Sequence, residues 1–142
     1  MKDFTDNYFD FCYSSHCFEH IEDLPAALEI ISKKCRRGFY AVPASDFEFL
    51  MASSRYGHVN LCRLIDGVLH IAVRPKNTVI DIFAEHFNII WKKKEFKKIW
   101  EGHGGVRGFR FLWEARHCWE EKIEYKFHEN PCTLYPQLEY FY

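Results

Sequence analysis

Three stretches decide the fold: Tyr8-Phe9-Asp10-Phe11-Cys12-Tyr13-Ser14-Ser15, the segment from Leu24 to Lys34, and Phe39-Tyr40-Ala41-Val42-Pro43. The first is apolar and aromatic apart from Asp10, the pattern of a mostly buried strand. In the second, Leu24, Ala27, Leu28, Ile31 and Cys35 keep i, i+3, i+4, i+7 spacing, which predicts a helix with one apolar stripe. Asp23 is placed to cap it, and Pro25 lies in the first turn, where its missing N–H costs nothing. Lys33, Lys34, Arg36 and Arg37 gather where the helix dipole favours cations, and Gly38 is read as the stop. The third stretch is a second strand, halted by Pro43. A strand, a helix and a strand within about 35 residues predict a right-handed crossover and a parallel pair.

Downstream, Ser45-Asp46-Phe47-Glu48 is a capping box opening a short helix to about Ser53. Asn60–Ile65 and Val68–Val73 flank Asp66-Gly67, a strong two-residue hairpin signal because both turn positions want positive φ. Thr78–His86 reads as helix, Asn88–Trp91 as a brief strand and Lys92–Trp100 as a short basic helix. Glu101–Gly108 is a glycine-rich loop. Phe109–Ala115 and Lys122–Phe127 alternate and carry β-formers, which predicts a further antiparallel hairpin. The expected organisation is one unit over 1–130 and an aromatic tail over 131–142.

Composition removes several classes. Lys+Arg number 19 against 20 Asp+Glu, so no global charge draws the chain to nucleic acid or an anionic membrane. Apolar residues make up 48%, too many for a disordered chain. No apolar run reaches the ~18–20 residues that cross a bilayer, and the acidic start Met1-Lys2-Asp3-Phe4-Thr5-Asp6 fits no signal or transit peptide. The expectation is a soluble cytoplasmic protein. Its six cysteines (Cys12, Cys17, Cys35, Cys62, Cys118 and Cys132) have no C-x-x-C pair and are expected to be reduced, buried thiols.

The run from Phe9 through Leu28 resembles the fourth-strand segment of class I S-adenosylmethionine-dependent methyltransferases, of the type 11 kind. There an Asp-containing strand enters a short loop, followed by an apolar residue, Glu-His, an apolar residue and an acid-Pro region before a helix. Phe18-Glu19-His20-Ile21-Glu22-Asp23 is similar to that signature. Cys35-Arg36-Arg37-Gly38-Phe39-Tyr40-Ala41-Val42-Pro43 is similar to the fifth strand, with Cys35-Arg36-Arg37-Gly38 in place of the Lys-Pro-Gly-Gly of many relatives. Ala41 stands where some relatives carry Glu. The resemblance spans roughly residues 8–127 and is strongest over 9–43. It implies an α/β fold: a partial Rossmann-like sheet, parallel from about the fourth strand onward, extended by antiparallel C-terminal hairpins.

It also implies S-adenosylmethionine as cofactor, held at the carboxyl ends of the strands. On that basis Ser14, Ser15 and His16 are the candidate cofactor contacts, with Glu19 and His20 orienting their loop. Alternatively, Glu19 caps backbone amides and His20 packs beneath the loop. The family's glycine-rich turn and ribose-binding acid precede the fourth strand. Only seven residues precede Tyr8 here, and the glycines at 102–108 have the wrong spacing. The reading is therefore the C-terminal half of a methyltransferase domain, not competent alone. An open sheet edge would meet a missing N-terminal half or a second copy. The catalytic residues and the methyl acceptor are unassigned; His16, His58 and His103 are candidate bases by side-chain type only.

Three other classes bear on the same chain. Cys12, Cys17 and His20, and separately His117, Cys118, His128 and Cys132, lack zinc spacing, so no metal is expected. Trp91–Trp100 interleaves lysines with aromatics, as stacking surfaces can, but an amphipathic helix with solvated lysines explains it as well, and nucleic acid is disfavoured. A non-catalytic interaction module would use the same open edge through strand addition.

Overall fold

The computed structural model describes residues 4–43, 57–75 and 114–134, with 86, 89, 93–95 and 98. Strand β1 (Cys12–Ser15) leads through a 3-10 turn (Phe18–His20) into helix α1 (Leu24–Lys34), and the chain returns as β2 (Arg37–Pro43). The Asp23 carboxylate accepts the Ala26 N–H at 3.2 Å, and Pro25 sits in the first turn, as expected. β1 and β2 are parallel, with Cys12 opposite Gly38 and Ser15 opposite Ala41. Strands β3 (Asn60–Ile65) and β4 (Val68–Val73) form the expected antiparallel hairpin. Asp66 and Gly67 both take positive φ at its turn, 51° and 82°.

Strands β5 (Glu114–Glu120) and β6 (Tyr125–His128) do not pair with each other; of the first arm of the expected hairpin, Phe109–Ala115, residues 109–113 lie outside the described residues. β5 runs antiparallel to β2, and β6 runs parallel to β4. The link between them is held away from a hairpin course. The Glu121 N–H donates to the Arg36 carbonyl, the Ile123 N–H to Ser32 Oγ on α1, and the Leu69 N–H to the Glu124 carbonyl. Glu121 turns there at φ 64°, and Ile123 is buried, so the chain crosses the core from one sheet to the other. Short helix α2 (Pro131–Leu134) follows.

Among the described residues the result is a mixed α/β arrangement of two three-stranded sheets, ordered β1-β2-β5 and β3-β4-β6. One core joins them: Leu24, Leu28 and Ile31 of α1 meet Tyr40 and Val42 of β2, Leu69 and Ile71 of β4, and Trp119 of β5.

Five further expectations change. Residues 8–11 are not strand; apart from one bridge of Phe9 to Cys35, the segment follows the end of α1, with Asn7 and Phe9 N–H groups on the Lys33 and Lys34 carbonyls. β1 is not mostly buried: Tyr13, stacked on Phe39 of β2, is 68% exposed, and Phe11 just before the strand is 54% exposed. Gly38 is not the helix stop. α1 ends as Cys35 turns extended at φ −120°, and Gly38 lies inside β2, where the Trp119 ring crosses it. All six cysteines are free, but Cys17 and Cys118 are exposed rather than buried. Ile89, read as strand, is helical. The capping box at Ser45–Glu48, the helix over 78–86 except His86, the glycine-rich loop with His103, and most of Trp91–Trp100 lie outside the described residues. No described helix is long and apolar enough to cross a membrane.

Candidate functional site

The carboxyl end of β1 is where sequence and structure converge. Ser14 and Ser15 line a groove of about 580 Å³ between β1 and α1, with Tyr13, Ile21 and Ile30 among its apolar walls. Ser14 Oγ is buried without a hydrogen-bond partner. The next residue, His16, leaves the strand at φ 50°, a left-handed conformation that costs a non-glycine residue of order 1 kcal/mol. Its N–H still donates to the Ala41 carbonyl at 2.9 Å, extending the parallel ladder by one bond.

That turn swings the His16 ring away from the groove and between two acids. Nε2 is 2.9 Å from Glu114 Oε1, and Nδ1 is 3.5 Å from Glu19 Oε1. The Glu19 carboxylate, with Glu114 opposite, pushes His16 up to about 9 against the partial burial of its ring, so it is a cation at neutral pH. Arg116 holds the other Glu114 oxygen, with Nη2 at 2.7 Å and Nε at 2.8 Å.

Glu19 and His20 lie in the 3-10 turn, which is fastened to the start of β3. Buried Asn60 donates through Nδ2 to the carbonyls of Ile21 (2.5 Å) and Phe18 (3.4 Å), and the Val59 N–H donates to the Glu19 carbonyl at 2.8 Å. These bonds bring Gly57 and His58 alongside the turn. His20 Nδ1 lies 3.2 Å from the Gly57 carbonyl, and the His20 and His58 rings meet edge to face with centroids 4.6 Å apart. Glu19 itself is 1% exposed, and neither carboxylate oxygen has a hydrogen-bond partner.

The five candidate residues therefore divide. Ser14 and Ser15 face the groove; His16, Glu19 and His20 form a separate polar cluster beside it. Glu19 does not cap backbone amides with its side chain. His58, considered only as a base, belongs to this cluster. Glu114, 98 residues from His16, gave no local signal at all, because only the β2–β5 pairing brings it there. Neither of the loose Cys/His groups is assembled as a ligand set; among the described residues the close group is Glu19, His20 and His58.

The groove fits S-adenosylmethionine only in part. An orphaned hydroxyl at Ser14 and polar groups at the strand end suit the amino-acid portion, whereas among the described residues no glycine-rich turn or ribose-binding acid belongs to the groove lining.

No curated protein and no solved structure matches the chain. One family model does: a methyltransferase domain, matching residues 1–42. That span contains β1, the Glu-His turn, α1 and all but the last residue of β2, the segment whose residues carry the resemblance. The match covers 42 of the 142 residues, and over that stretch the chain is similar to a methyltransferase domain.

Proposed function

We propose that this chain is the C-terminal part of an S-adenosylmethionine-dependent methyltransferase, not competent alone, and that its cofactor cleft is completed across the free edge of β1. The observation that carries this reading is the position of β1. Among the described residues it pairs only with β2; it presents Tyr13, which lines the groove, to solvent, and Phe11 just before it is exposed too. Unpaired strand groups beside exposed aromatics invite strand addition. A partner bringing the glycine-rich strand–turn–helix would cover those aromatics and supply the missing cofactor contacts. Ser14 and Ser15 would then face the cofactor's amino-acid portion, and the strained turn at His16 would fix the end of the cleft. The bound cofactor supplies the electrophilic methyl group. This chain's part is to position and to exclude water.

The test is recovery of the tagged chain from its natural source, followed by photo-crosslinking with radiolabelled S-adenosylmethionine. The expected result is a labelled heteromeric assembly and an unlabelled isolated chain. Labelling of the isolated monomer would overturn the requirement for a partner. An assembly that takes no label would make the chain a non-catalytic docking module.

A further inference from the structure

The Glu19 carboxylate is the group that the methyltransferase reading leaves unexplained. It is buried, and neither oxygen is hydrogen-bonded. Two imidazole nitrogens stand off from it, His16 Nδ1 at 3.5 Å and His20 Nε2 at 3.9 Å from Oε1. A carboxylate stripped of water without hydrogen bonds is expensive, and the His16 cation beside it is shared with Glu114, to which it stands closer.

We propose that Glu19, His20 and His58 bind a divalent transition-metal ion of the zinc class, through one carboxylate oxygen and two imidazole nitrogens. Their donor atoms all lie within 4.8 Å of one another. Donors about 2.0–2.2 Å from a tetrahedral ion sit about 3.3 Å apart, so side-chain shifts of about 1 Å close the site.

The orientation of His20 points the same way. The Gly57 carbonyl can only accept, so Nδ1 carries the hydrogen of that 3.2 Å bond and Nε2 keeps its lone pair on the Glu19 side. A ring fixed by one N–H on a carbonyl and offering its other nitrogen is the usual arrangement of a metal-binding imidazole. The left-handed φ of 69° at Gly57 shapes the backbone that presents the carbonyl. The Asn60 and Val59 bonds hold the turn and the His58 segment together. His16 stays outside the ligand set because its Nε2 is committed to Glu114.

Two imidazoles and one carboxylate favour zinc-class ions over magnesium, which prefers oxygen ligands and its own waters. Three protein ligands leave a position for water or a substrate oxygen, as in catalytic rather than structural sites. The inference concerns only residues of this chain and stands or falls apart from cofactor binding.

The experiment uses the full metal-stripped chain, titrated with Co²⁺ and followed by visible absorption, then by displacement with Zn²⁺ and with Mg²⁺. Because all six cysteines are free, the spectrum must separate nitrogen and oxygen ligation from thiolate charge transfer. The expected result is one equivalent of Co²⁺ without a thiolate band, displaced by Zn²⁺ and not by equal Mg²⁺. Binding should weaken at least about 10-fold in Glu19→Gln and His58→Ala and be unchanged in His70→Ala. Circular dichroism checks each fold. If the buried Glu19→Gln variant does not fold, His58→Ala, at a half-buried position, decides. No stoichiometric binding, a thiolate band, equal displacement by Mg²⁺, or undiminished affinity in the folded variants overturns the proposal.

Discussion

Gly38→Ala perturbs the junction that aims β1 at the site. Gly38 lies in the central strand of its sheet, opposite Cys12 on one side and Trp119 on the other. An added Cβ would stand 2.5 Å from the Cys12 carbonyl oxygen, 2.8 Å from Trp119 Nε1 and 2.9 Å from Trp119 Cε2. None of these atoms yields cheaply: one is backbone in a four-residue strand, and the others belong to a buried indole. Overpacking of this kind costs about 1–3 kcal/mol. Removing glycine's excess entropy in a strand returns roughly 0.5–1 kcal/mol. The expected net loss is about 1–2 kcal/mol, a sizeable share of a total near 5–15 kcal/mol. Urea unfolding should show a lower midpoint at constant slope. In a Trp119→Phe background the indole clash is gone, so the cost of Gly38→Ala should shrink, giving a coupling of roughly 0.5 kcal/mol or more. A Gly38→Ala variant within about 0.5 kcal/mol of the parent, or coupling of zero, would refute the close approach of β1, β2 and β5.

Other perturbations probe separate parts of the structure. Asn60→Ala strips the Ile21 and Phe18 carbonyls of their side-chain donor and should cost about 1–3 kcal/mol, with faster exchange of the His20 and Ile21 amides by NMR; unchanged protection would show that the turn holds itself. His70 Nδ1 and His128 Nε2 share a 2.9 Å hydrogen bond that needs one ring to accept, so both cannot be protonated while it lasts. Desolvation, with neighbouring positive charge (His128, Lys126 and Arg63 for His70, Lys126 for His128) and only Asp66 opposing at His70, holds both below the ordinary imidazole value. The unfolded chain therefore takes up protons first, and this stability is complete above about pH 6.5 and lost as pH falls below it; the acid loss in Tm should flatten in His70→Gln, and an unchanged profile would remove the pair as its source. Burial pushes the Cys12 thiol up to about 11, so alkylation at neutral pH should reach Cys17 and Cys118 first, Cys12 slowly and buried Cys35 and Cys62 last; Cys12 reacting as fast as Cys17 would contradict that environment.

The local elements were legible wherever the signal was local. The stripe from Leu24 to Cys35, the Asp23 cap and Asp66-Gly67 each act within a few residues, and α1 and the β3–β4 hairpin appear where the sequence puts them. The parallel pair was legible because strand, helix and strand leave little other topology. What failed depended on distant partners. The alternation of Lys122–Phe127 says strand but not which sheet, and bonds to Ser32 and Arg36 settle that from elsewhere in the chain. An apolar run at 8–15 says that faces want cover, not that this chain covers them, and Phe11 and Tyr13 are exposed. At the site, Ser14, Ser15, His16, Glu19 and His20 lie within seven residues of one another, so local sequence can group them. His58 arrives through bonds to the Glu19, Ile21 and Phe18 carbonyls, and Glu114 through the β2–β5 register.

The central claim is that the groove at Ser14 and Ser15 is one side of a cofactor cleft whose other side comes from across the β1 edge. Calorimetric titration of S-adenosylhomocysteine into the isolated chain and into the assembly recovered with it tests this most directly. The account predicts no saturable heat from the isolated chain and a one-to-one isotherm from the assembly, lost when Tyr13→Lys charges the β1 edge. A one-to-one isotherm from the isolated monomer, unaffected by Tyr13→Lys, would contradict it.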